Sequence, residues 1–156
     1  MSWRGLALAA TLVVVAAGLA VGISFAFRSG KSPELTPTAY LAQANAACLR
    51  YAKRLGRIPP PNDLTSFADV AASAGKALPV LEAQAAAVRK IVPPRALAAR
   101  VRVLDALVAR SNGFLRAALE AARRRDRPAM GLAFGAWLEA STDAHDAAVK
   151  LGFRCS

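Results

Sequence analysis

Residues 93 to 128 read PPRALAARVRVLDALVARSNGFLRAALEAARRRDRP, and this stretch decides the fold. Leu97, Val101, Leu104, Val108, Leu115 and Leu119 recur at intervals of three, four and seven, so a helix of 3.6 residues per turn gathers them on one stripe. A strand, with its period of two, would scatter the same residues over both of its faces. Pro93 and Pro94 open the segment, and Asp126-Arg127-Pro128 closes it. The spacing therefore predicts a helix running to about Arg125. Val103, Leu107 and Phe114 widen the apolar stripe, which makes this helix the expected centre of the core.

The same period extends outward in both directions. Thr36 followed by Pro37 is a helix start, because the hydroxyl caps free N–H groups and Pro is tolerated at the first helical position. That first helix is expected to reach about Arg57, with Tyr40, Ala44, Ala47, Cys48, Tyr51 and Leu55 on one face, before Pro59 to Pro61 end it. A second begins near Asp63 or Thr65 and carries Phe67, Val70, Ala74, Leu78, Leu81, Ala85 and Val88. Pro79 presses there on the carbonyl of Gly75, so a kink rather than a break is expected. In the last helix Met130, Phe134, Trp137, Leu138, Ser141, His145 and Ala148 are expected inward, and Gly152 stands where a left-handed cap belongs. Four amphipathic helices joined by short turns make antiparallel neighbours, hence an up-down-up-down bundle. The 38 alanines and 6% aromatic residues agree, since Ala is the best helix former and sheets favour bulkier side chains.

The first residues belong to another environment. From Gly5 to Phe27 no charge occurs, and Arg4, Arg28 and Lys31 bracket the run. As a helix it would extend about 34 Å, enough to cross a bilayer once. A cleaved secretory signal is the alternative, with sites at Gly18-Leu19-Ala20 or Ser24-Phe25-Ala26. The expected organisation is thus a transmembrane signal-anchor over residues 1 to 27, a tether over 28 to 36 and an extracytoplasmic bundle over 37 to 156, secreted instead if the segment is cleaved. Two cysteines beyond an export signal suggest one disulfide, Cys48 to Cys155. The bundle topology returns the last helix to the end where the first begins. The expected fold class is all-α, with one transmembrane helix followed by a disulfide-linked four-helix bundle.

The Ala-Asn-Ala-Ala-Cys segment (Ala44 to Cys48), the Pro-Pro corner at 93 and 94, and the terminal Leu-Gly-Phe-Arg-Cys (Leu151 to Cys155) resemble small exported helical proteins of high-GC actinobacteria. The resemblance spans most of residues 40 to 155. It implies the helical fold, the disulfide and the location, and no activity comes with it.

Catalytic chemistry is sparse. A di-iron site needs inward glutamates and Glu-x-x-His pairs, and three residues after Glu139 stands Thr142. His145 is the sole histidine; Ser141 lies one turn earlier, without a nucleophile or oxyanion signature. Two cysteines 107 positions apart match no zinc spacing, and neither a haem-attachment motif nor a Gly-rich phosphate loop occurs. No enzyme activity, cofactor or metal is expected. Met130, Phe134 and Trp137 form a bulky stripe that either fills the core or borders an apolar pocket.

Charge is the stronger signal: 21 Lys and Arg against 10 Asp and Glu. Arg50, Lys53, Arg54 and Arg57 share one face near the end of the first helix, and Arg123, Arg124, Arg125 and Arg127 close the third. The topology puts both groups at one end, a density beyond what helix-dipole compensation requires. Arg28, Lys31, Arg89, Lys90, Arg95, Lys150 and Arg154 fall at the other end, near the membrane, and Glu139, Asp143 and Asp146 make an acidic stripe on the last helix. The leading expectation is a membrane-anchored extracytoplasmic binding or scaffold module. Besides the membrane that residues 5 to 27 would enter, its expected partners are an anionic envelope polymer, lipid head groups or an acidic protein. Nucleic acid is disfavoured for want of a stacking-aromatic or helix-turn-helix motif. The alternative is a ligand-binding or sensor bundle with an apolar pocket beside Trp137.

Overall fold

The structure is a computed structural model and describes residues 34 to 154. Thr36 adopts extended backbone and its Oγ1 accepts from the Ala39 N–H at 3.2 Å, which starts α1, Pro37–Leu55, with Pro at its first position. Ser66 does the same for α2, Phe67–Arg89, accepting from Asp69 N–H at 3.2 Å. The second helix therefore starts later than the turn at Asp63 and Thr65 suggested. Asp63 instead accepts from the Thr65 N–H and hydroxyl and builds the loop. Helix α3 runs Arg95–Arg123 behind Pro94, and α4 runs Arg127–Leu151 with Asp126 as its side-chain cap. Pro79 lies inside an unbroken α2, as its spacing predicts.

Helix α4 ends on Gly152 at φ 96°, where a Cβ would also meet Leu41 Cδ1 at 3.2 Å. Glycine supplies both the left-handed backbone and the clearance. Helix α3 ends the same way without glycine. Arg125, at φ 58°, donates its N–H to Ala122 O, and Asp126 donates to Ala121 O.

Consecutive helices run antiparallel. The Gln84 amide reaches the Cys48 carbonyl, while Arg116 pairs with Glu82 and Arg89 with Asp105 between α2 and α3. The α3–α4 interface is the most extensive and α1–α2 the least of the sequential three. Helix α3 is indeed the most buried element, holding Leu97, Leu104, Leu115, Ala118 and Leu119 inside. One core layer joins Tyr40, Ala44, Leu97, Leu104, Leu151 and Phe153; a second, around Ala74, Leu78, Leu115 and Leu119, receives nothing from α1. A third layer, Val70, Ala121, Ala122 and Met130, closes the far end, again without α1.

The expected architecture is thereby corrected to its helical part. Among the described residues no helix is long and apolar enough to cross a membrane. Cys48 is the only cysteine described, so these residues contain no cysteine pair. The expected span over residues 5 to 27, residues 28 to 33 of the expected tether over 28 to 36, and the partner Cys155 lie outside the described residues. The inward face of α4 also differs. Leu138 is 49% exposed and His145 is exposed, whereas Ala140 and Ala144 are buried. Small side chains let α4 approach α3 closely, and that contact outweighs the larger hydrophobes in setting the rotation. Val103, expected to widen the α3 stripe, is 60% exposed.

Tyr40 is fully buried, packs edge-on against Phe153 at 6.3 Å between ring centroids, and its hydroxyl has no hydrogen-bond partner among the described residues. Burial raises its pKa above 10.0, and the Asp105 charge adds to the effect. The native phenol thus stays protonated while the unfolded one ionises near pH 10, so this group lowers stability as pH climbs past about 10. Tyr40→Phe removes an unsatisfied hydroxyl and is expected to stabilise the fold by about 1 kcal/mol at neutral pH and to flatten the alkaline loss. Urea unfolding at both pH values checks this; a destabilised variant contradicts it.

Candidate functional site

Helices α1 and α4 meet firmly at one end only. There the Asn45 Oδ1 accepts from the Arg154 N–H at 2.8 Å, and its amide makes a long bond to the Gly152 carbonyl at 3.5 Å. Contact between the two helices themselves is sparse, and residues of all four helices line a part-enclosed cavity of about 350 Å³. Its wall is mostly apolar. Cys48, Ala52 and Leu55 face it from α1, Leu81 and Val88 from α2, Leu104 and Val108 from α3, and Trp137 and Ala144 from α4. The cavity has a steric cause: Ala52, Ala85, Ser111, Ser141, Ala144 and Ala148 contribute small side chains to facing walls, and backbone separation limits how far they can close the space.

The polar lining divides into two groups. At the rim stand His145, exposed, and Asp105, whose carboxylate faces Arg89 Nε at 3.7 Å. Deeper are Ser111 and Asn112, only 6% and 9% exposed. No hydrogen bond to another described residue engages either side chain. Gln84, also lining the cavity, is occupied: its Nε2 donates to the Cys48 carbonyl at 3.2 Å and approaches Cys48 Sγ at 2.9 Å, which ties α1 to α2. Among the described residues no group of His, Cys, Asp and Glu is arranged to hold a metal ion.

Of the stripe considered for a pocket, Trp137 alone lines the cavity. Met130 belongs to the far core layer with Val70, and Phe134 stacks beside Trp137 at 5.0 Å between centroids. Ser111, Asn112, Gln84 and Asp105 escaped the sequence reading. A signal for Ser111 existed: the positions 97, 101, 104, 108, 111, 115, 118 and 122 follow one alternation of four and three, and Ser111 is the single hydroxyl among apolar residues.

The eight basic residues are all exposed. Arg50, Lys53 and Arg54 lie in the last turns of α1, with Arg54 over the Tyr51 ring at 5.9 Å, and Arg57 follows in the turn. Arg123 ends α3, Arg124 and Arg125 form the corner, and Arg127 opens α4. The structure brings this corner to the α1–α2 loop: the Arg127 guanidinium covers Phe67 at 5.1 Å. Asp63 in that loop has its pKa lowered, first by the Thr65 N–H, then by the Thr65 hydroxyl, and further by the charge of Arg127.

No protein-family model, no curated protein and no solved structure matches this chain.

Arg125 holds a left-handed conformation that costs a residue with a Cβ roughly 1 to 2 kcal/mol. Arg125→Gly is expected to recover about 1 kcal/mol, less what glycine loses in unfolded-chain entropy, and to raise Tm by a few degrees. Thermal unfolding monitored by circular dichroism checks the sign.

Proposed function

We propose that the bundle is a small-ligand-binding protein, with the ligand held in the cavity between the four helices. The observation that carries this reading is the cavity itself. Its volume of about 350 Å³ equals about a dozen water molecules of liquid volume and lies within the range of small-molecule pockets, at its lower end. The cavity is only part-enclosed, so without an occupant its mostly apolar wall meets water, and covering that wall is favourable. Apolar walls with a few convergent polar groups are the usual composition of such sites.

The experiment uses naphthalene, an apolar probe of suitable bulk without a polar group. Saturating probe is expected to raise Tm, since a ligand at a hundred times its Kd stabilises by about 2.7 kcal/mol. Ala52 lines the cavity from α1, is half-buried and belongs to none of the three core layers. Ala52→Phe should therefore fill the space without disturbing the fold, leaving the unliganded Tm equal or higher and abolishing the response to probe. A parent protein indifferent to naphthalene, or a variant that responds fully, contradicts the reading.

A second reading rests on the basic end, and the approach of Arg127 to the α1–α2 loop favours it. Exposed charges are screened beyond about 8 Å at physiological salt, so one arginine does little, but eight converging from two turns can hold an anionic polymer. Replacing Arg123, Arg124 and Arg125 together by Glu is expected to abolish salt-sensitive retention on a teichoic-type polyanion, with an unchanged helical spectrum. The same reversal at Arg89, Lys90 and Arg95 should leave retention largely intact; the opposite pattern would move the binding surface to the other end.

A further inference from the structure

The cavity is chemically unlike the surface around it. The chain carries 21 Lys and Arg, yet none lines the cavity among the described residues. The one carboxylate there is Asp105, which already faces Arg89, and His145 is the other titratable group at the rim. The deep wall instead offers the Ser111 hydroxyl and the Asn112 amide, both more than nine-tenths buried. Neither is satisfied by another described residue. Together they present donors and acceptors without charge. The Tyr40 hydroxyl alone is a sealed side-chain polar atom without a partner among the described residues, so the Ser111 and Asn112 groups open onto the cavity and are available to hydrogen-bond an occupant.

We infer that the cavity selects a neutral amphiphile: an apolar body of about a dozen non-hydrogen atoms carrying one hydroxyl or carbonyl, which hydrogen-bonds to Ser111 and Asn112 while Leu81, Leu104, Val108 and Trp137 enclose the rest. This rests on the cavity reading above and adds the ligand's chemistry to it. An anionic amphiphile such as a fatty carboxylate would have to bury its charge where no Lys or Arg meets it and Asp105 repels it. A cationic one would have to compete with Arg89 for Asp105 and would leave the deep polar pair unmet. The geometry of α3 explains why these residues serve. Ser111 occupies the inward step of the stripe, and Asn112, one residue on, turns the adjacent edge of the helix toward the same space.

The test compares matched probes on the full chain by calorimetry or ligand-observed NMR: naphthalene, 2-naphthol, 2-naphthoate and 2-naphthylmethylamine at pH near 7. The expected order places 2-naphthol about tenfold tighter than naphthalene, the effect of one satisfied buried polar pair, and at least about tenfold tighter than 2-naphthoate. Ser111→Ala combined with Asn112→Leu should erase the naphthol advantage while keeping naphthalene binding, and Asp105→Asn should narrow the deficit of 2-naphthoate. Ser111→Ala alone, the smaller change, should remove part of the advantage. Equal binding of naphthalene and 2-naphthol, or tightest binding of either charged probe, overturns the inference and leaves the cavity reading standing. Binding of no probe at all overturns both.

Discussion

The arrangement depends on one lock, formed where the start of α1 meets the end of α4. Tyr40 enters the core beside Phe153, Asn45 holds the backbone on either side of that phenylalanine, and Gly152 gives Leu41 the space to lie across the turn. Each partner comes from a segment more than a hundred residues from the other, so the lock fixes α1 relative to α4 at a single point. The Gln84 amide then fastens the middle of α1 to α2. With one end held to α4 and its length held to α2, α1 cannot also close against α4. The gap that remains is the cavity.

A core built this way trades stability for space. Three helices, α2, α3 and α4, supply two of the three packed layers by themselves, and α1 contributes only to the one around Tyr40 and Leu104. The far layers thus give the fold rigidity, and the cavity beside α1 can be lined with Ala, Ser and Asn without unravelling it. The Tyr40 hydroxyl breaks the rule that buried polar groups are hydrogen-bonded, whereas the polar atoms of Ser111 and Asn112 open onto the cavity. Violations of local consistency in natural proteins concentrate where function requires them. The Tyr40 hydroxyl is an exception, accounted for by the ring's packing against Phe153.

Electrostatics and burial are segregated. Among the described residues every Lys and Arg is exposed, eight of them in or just past the last turns of α1 and around the α3–α4 corner, and none lines the cavity. A charged Lys or Arg head group loses hydration on facing apolar walls, whereas at helix C-termini it meets the partial negative charge of the last carbonyls. The same molecule therefore carries exposed basic residues at one corner and a largely apolar cavity lining, and the two use different residues.

Helix number, caps and turns were legible in the sequence. Thr36-Pro37, Pro93-Pro94 and Gly152 act through the backbone of a few neighbouring residues, and the stripe from Leu97 to Leu119 acts through a period that any α-helix must obey. The turn at Asp126-Arg127-Pro128 was legible too, and the structure sets its Arg127 over Phe67 at the start of α2. The rotation of α4 was not. Leu138 and His145 satisfy the period as well as Ala140 and Ala144 do, and only close contact with α3 chose the small residues. The cavity escaped for the same reason. A void is a property of four facing surfaces and of the distance at which the Asn45 and Gln84 bonds hold them, and no single helix's sequence contains that distance. Local interactions thus determined the elements, and long-range packing decided which faces turned inward and where they failed to meet.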